Sequence, residues 1–220
     1  MSSAVKPEFG PTLPQLVGPR LRAWPRWARV ALAVAGALVV AAVFWVLFLK
    51  DDGRVSVLAR EPIAFNLLYG EGKLVRAVPR DGEVLRLVTP ATDPDPASAT
   101  VRPVVLPPYE GDVSGVLPTY ATGLIAQMRA ADPEFVLRSE GRARVNGQPG
   151  YQIQFQTKQG GRTAYGRRAL LFVDEPGVRE GADITTLAVR SPVIPNFDAV
   201  GSNGPTKLPY RSFRLGTERP

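Results

Sequence analysis

The sequence predicts an α+β protein: a single N-terminal transmembrane helix followed by one antiparallel-sheet domain packed on a helix. Three observations carry this prediction. Val30 to Leu49 is an unbroken apolar run of twenty residues. Residues 151–158 alternate strictly between apolar and polar, and they lie among short apolar runs separated by Gly and Pro, which is the pattern of strands with one buried face. Between these lies one stretch, Leu117, Tyr120, Leu124, Ile125 and Met128, whose apolar residues recur at helical spacing.

The N-terminal flank, residues 1–29, holds Pro7, Pro11, Pro14, Pro19 and Pro25, which oppose a stable helix and favour an extended tail. The net charge of +7 is concentrated near this flank: residues 1–50 carry six basic groups against Glu8 alone, whereas residues 51–220 carry 21 basic and 19 acidic groups. The high isoelectric point is therefore weak support for nucleic-acid binding. The 22 Arg against five Lys match a GC-rich bacterial coding bias.

Residues 30–49 are long enough, at 1.5 Å rise per residue, to cross the roughly 30 Å hydrocarbon core of a bilayer. Trp24 and Trp27 precede the run and Trp45 lies near its far end, where indoles favour the interface. A cleaved signal peptide would have a shorter run and small residues after it. Here the run ends in Trp45-Val46-Leu47-Phe48-Leu49-Lys50, which fits an uncleaved signal anchor. Arg20, Arg22, Arg26 and Arg29 stand before the span with no acid among them, while Asp51, Asp52 and Glu61 dilute Lys50, Arg54 and Arg60 after it. The positive-inside rule then places the N-terminus in the cytoplasm and residues 51–220 outside the membrane. Ala33, Ala37 and Ala41 form a small-residue row that could pack on another helix, or merely reflect an Ala-rich span.

Residues 50–60 read as a linker and 61–215 as the outer domain, with 216–220 as a tail. Residues 63–69 read as a strand. Residues 73–78 and 83–88 read as two more, joined by a turn at Asp81-Gly82. Six prolines in residues 90–112 suggest a long surface loop with a brief edge strand at 101–106. The amphipathic helix is expected from Ser114 or Thr119 to Ala131, closed by Pro133. Strands follow at 136–145, 151–158, 163–174 and 182–190, the first two joined by the loop Asn146-Gly147-Gln148-Pro149-Gly150. Residues 192–209 are too rich in Pro, Gly and Asn for a long helix, and 210–215 read as a closing strand or turn.

This order of elements resembles the PsbP/Mog1-like domains, α/β sandwiches found in small envelope proteins of actinobacterial type. The resemblance spans residues 61–215 and is nearest at Phe65–Tyr69, Gly150–Phe155, Gly166–Val173 and Tyr210–Phe213. It implies an antiparallel sheet, with helices often on both faces, and it supplies no shared catalytic set. Segment 192–209 departs from the pattern because it cannot supply a long final helix.

The absence of His and Cys removes imidazole bases, thiol nucleophiles, disulfides and the usual zinc ligands. Gly160-Gly161 lacks the strand and helix context of a dinucleotide loop, and Asp93, Asp95 and Asp112 lack calcium-loop spacing. Ser139, Ser191 and Ser212 have no His partner, although a Ser–Lys dyad needs none. No pair of carboxylates is singled out for glycoside chemistry. We therefore expect no cofactor, no metal and no catalysis. Pairing 136–145 with 151–158 around the five-residue loop would set Arg144 beside Gln152, Arg142 beside Gln154 and Glu140 beside Gln156, with Arg162 following on the next strand. That face is either solvated or a docking surface for anionic or carbohydrate-like groups, since Arg forks match carboxylate and phosphate. The expected partners are the lipid bilayer and another envelope or membrane protein. Two functional readings stand: an extracytoplasmic binding or scaffolding module, and an accessory subunit assembled into a larger complex through its transmembrane helix.

Overall fold

The computed structural model describes residues 25–44, 53–173, 175 and 177–218. The chain divides into two compact units, residues 1–51 and 52–220. In the first, helix α1 (Arg26–Phe44) contains Arg26, Arg29 and the apolar run from Val30 to Phe44. Its Ala, Leu and Val residues continue without a proline after Pro25. Trp27, Val30, Val34, Leu38, Val39 and Val40 are exposed. Among the described residues no helix is long and apolar enough to cross a membrane. Residues 45–49, which complete the run and include Trp45 and Leu49, lie outside the described residues, as does Trp24.

The second unit is built on a seven-stranded antiparallel sheet. Its strands are β3 (Val75–Arg76), β4 (Leu85–Val88), β5 (Ala97–Val105), β6 (Val136–Val145), β7 (Gln148–Gln159), β8 (Arg162–Phe172) and β9 (Glu180–Val189). They lie in the order β3-β4-β5-β9-β8-β7-β6. A smaller sheet joins β1 (Arg54–Ala59), β2 (Phe65–Gly70) and β10 (Arg214–Leu215) in the order β1-β2-β10. Helix α2 spans Val113–Ala131, and the short helix α3 spans Lys207–Ser212.

The alternation of residues along the strands divides the interior into two apolar layers. On one face of the large sheet Leu87, Val101, Leu171 and Ile184 meet Phe65 and Leu67 of the small sheet, closed by Tyr210 and Phe213. Phe65 and Phe213 are fully buried and stack with ring centroids 5.5 Å apart. Each such side chain contributes about 1.5–3 kcal/mol by leaving water. On the other face Val113, Leu117, Ala121, Leu124 and Ile125 of α2 cover Ile153, Phe155 and Leu170. A third, smaller cluster seats Ile194, Ala199 and Val200 of the C-terminal loop on Tyr165 and Ala188.

The predicted helix and the four strands from 136 to 190 stand, with boundaries moved by a few residues, while 210–215, expected as a closing strand or turn, divides between the end of α3 and β10. Two expectations are corrected. Residues 54–59 form strand β1 of the small sheet, not linker, because Val55 and Val57 point inward along a short alternating run. Residues 97–105 form β5, an internal strand paired with β9 along its full length. Pro103 is tolerated there because β4 pairs only with residues 98–101, so that side of β5 is already open at the proline. The loop before it is short, and the other prolines of the cluster lie outside the strand. Segment 192–209 forms no long helix: it holds a 3-10 turn at Phe197–Ala199 and the first residues of α3.

Candidate functional site

Asn146-Gly147 sets the register of the edge hairpin. Asn146 has φ 49° and Gly147 φ 84°, which makes a two-residue turn matched to the twist of the strands. β6 and β7 consequently pair Val145 with Gln148, Arg144 with Pro149, Arg142 with Tyr151 and Glu140 with Ile153. Against the pairing expected from a five-residue loop, this is a displacement of three residues. An odd displacement sends a strand's side chains to the opposite face.

The Arg/Gln face predicted from the sequence is therefore divided. Arg142 and Arg144 lie on the α2 side of the sheet, together with Tyr151. Gln152, Gln154 and Gln156 alternate with Tyr151 and Ile153 and so take the other side. Gln154 is only 4% exposed; its Nε2 donates to Phe197 O at 3.5 Å and to Asp198 Oδ1 at 3.3 Å, beneath the C-terminal loop. Gln156 accepts from Arg138 Nη2. Arg162 stands at the far end of β7, opposite Gln159, and binds Asp95 at 2.8 Å and Pro94 O. Arg167 and Arg168 are also committed. Arg167 Nη2 donates to Asp198 O at 2.9 Å and its guanidinium lies 5.4 Å from the Tyr210 ring centroid, while Arg168 Nε donates to the buried Asp183 at 2.7 Å.

What the fold assembles instead is a groove of about 510 Å³ between the first turns of α2 and the β6–β7 hairpin. Val113, Leu117, Pro149 and Tyr151 give it an apolar floor, and Arg142, Arg144 and Ser114 stand along its rim. Arg144 Nη1 donates to Gly147 O at 3.0 Å, which braces that guanidinium on its own turn. Arg142 is exposed and has no ion pair among the described residues. Tyr151 OH donates to Glu140 Oε2 at 3.3 Å. Burial first, and the neighbouring Glu140 carboxylate second, push the Tyr151 hydroxyl above its ordinary range, so it stays a neutral donor. Two guanidiniums over an apolar trough can hold a group with an anionic end and a nonpolar body. Among the described residues no cluster of carboxylates is placed to hold a metal ion.

Arg142 and Arg144 are legible in the sequence as a pair, but the residues that surround them are not. Tyr151 reads as an ordinary core position, and only the correct register brings it beside Arg142. The signal was present in the Asn-Gly dipeptide, which favours a two-residue turn.

Fold and groove together define an antiparallel α/β sandwich with a cationic groove between its helix and its edge hairpin. A solved protein of that fold is LpqN of Mycobacterium tuberculosis, described as involved in cell envelope biogenesis. The two superpose with a TM-score of 0.50 at 13% identity, covering 77% of this chain and 95% of LpqN. A cyanobacterial PsbP from Synechocystis gives a TM-score of 0.48 at 13% identity, over 76% of this chain and 95% of its own. At that identity the likeness to LpqN is one of fold. No protein-family profile matches the chain, and no curated protein sequence matches it.

Proposed function

We propose that this protein is a single-pass, membrane-anchored binding module of the bacterial cell envelope, a PsbP/Mog1-like domain held outside the cytoplasm and acting without catalysis. The carrying observation is the groove at Arg142 and Arg144, whose exposed Arg142 and apolar floor suit an anionic segment of an envelope partner. The shared fold with LpqN, a protein described in connection with envelope biogenesis, supports the setting. The anchoring rests on the apolar run and its basic N-terminal flank. The exposed valines and Leu38 of α1 add support, because an apolar surface of that kind needs a nonaqueous cover.

The test is made in intact cells with the full chain. Arg142→Ala with Arg144→Ala should abolish site-specific cross-linking from the groove while the melting temperature stays within a degree or two. Undiminished cross-linking, or a collapse of folding, defeats the groove reading. The row Ala33, Ala37 and Ala41 favours a second reading, assembly of a larger complex through the span. Replacing residues 30–49 by an unrelated apolar helix separates the two. The binding module keeps its function after the swap, and the accessory subunit loses it.

A further inference from the structure

A second basic concavity lies apart from the groove, where the start of β1, the turn after β2 and α3 come together. A cavity of about 350 Å³ is bordered by Arg54, Lys73, Lys207 and Arg211, with Leu208 between them and no carboxylate in its lining. It continues past Lys73 and Lys207 into a neighbouring cavity of about 490 Å³ that Asp93 and Asp95 line. Those acids are engaged elsewhere: Asp95 binds Arg162 at 2.8 Å, and Asp93 Oδ1 accepts from Asp95 N at 2.9 Å. Glu71 flanks Lys73 in the turn, and Asp51 and Asp52 precede Arg54 along the chain. Lys73, Lys207 and Arg211 are exposed and carry no ion pair among the described residues. Lys73, Lys207 and Arg211 bring three like charges to one open face, where they repel one another, and an anionic surface would relieve that repulsion.

The sequence says which surface is within reach. Five residues carry the chain from Leu49 to Arg54, a contour of about 17 Å at most. Headgroups occupy roughly the first 5–8 Å beyond the hydrocarbon. We infer that the face formed by Arg54, Lys73, Lys207 and Arg211 contacts the anionic phospholipid headgroups of the leaflet from which the domain emerges. This rests on the anchored reading above. The cations are spread along an open trough on long side chains, and no buried donor converges on a single point, so the face suits a field of headgroups better than one small anion. Each near-surface Lys or Arg strengthens such contact about fivefold.

The chain has five lysines, two of them on this face, and Lys158, which lines neither cavity and meets Glu134 at 3.0 Å, serves as an internal control. The full chain is reconstituted into nanodiscs of phosphatidylcholine alone or mixed with phosphatidylglycerol, and amine acetylation is followed residue by residue by mass spectrometry. Lys73 and Lys207 should react several-fold more slowly in the anionic discs, Lys158 equally in both, and high salt should erase the difference. Lys207→Gln with Arg211→Gln should remove the protection of Lys73. Equal rates in both discs overturn the headgroup contact while leaving the anchor intact. Protection by soluble glycerophosphate in phosphatidylcholine discs would make this a small-anion site and overturn the lipid assignment. A chain that fails to enter either disc overturns the anchor and the contact together.

Discussion

At the scale of single residues, Glu83 shows how a buried charge is made tolerable. Its side chain is 2% exposed and meets Arg86 at 3.0 Å and Arg102 at 3.4 Å, and it accepts the Arg80 N–H at 3.0 Å. Burial pulls its pKa upward, but the Arg80 amide and the two guanidiniums outweigh burial and the net displacement is downward. A depressed folded-state value means that the stabilisation is complete above the unfolded Glu value of about 4.3 and is lost as pH falls through the lower folded value. Glu83→Gln should therefore flatten the decline of melting temperature below about pH 5; an unchanged acid limb would show that other groups set it. Gly166 makes a steric argument of the same size. A Cβ there would lie 2.1 Å from the Phe155 ring, which covers the glycine from the neighbouring strand. Gly166→Ala should cost about 1–3 kcal/mol in urea denaturation, and a neutral result would mean the ring can swing aside.

At the scale of elements, the sequence is most legible where one residue pattern decides the structure. The stripe through Leu117, Leu124 and Ile125 names the buried face of α2, and Tyr151, Ile153 and Phe155 name the inward face of β7. It is least legible where two strands must agree. The alternation of β7 says which residues share a face, but only the turn says which residue of β6 stands opposite, and a five-residue loop at Asn146–Gly150 would put Arg142 on the other side of the sheet. β5 was hidden by prolines that are harmless because its ladder has a neighbour on one side only at Pro103. The turn itself can be tested. Gly147→Ala forces a side chain into φ 84° and should cost about 1–2 kcal/mol in the same denaturation assay. No loss of stability would mean that the turn adopts another form.

At the scale of the whole molecule, long-range closure is what the sequence left unread. The small sheet brings Arg54–Ala59 and Arg214–Leu215 to opposite sides of β2, a meeting of the two ends of the second unit that no local periodicity announces. Asn66 Nδ2 fastens the last described stretch by donating to Gly216 O at 3.0 Å and to Glu218 O. The candidate groove is legible in part for the same reason: its arginines are local to β6, while Val113 and Leu117 arrive from α2.

The position of β1 also has a mechanical consequence. Whatever tugs on the N-terminal flank reaches the second unit through an edge strand held on one side by β2, in which Val57 alone is fully buried. That strand is a fuse: with only six paired positions at a sheet edge, it should part before the seven-stranded sheet opens. In optical-tweezer traces, stretching from the N-terminus should give a small early step of roughly 20 Å before the main rupture. A single abrupt rupture would show that the two sheets share the strain from the outset.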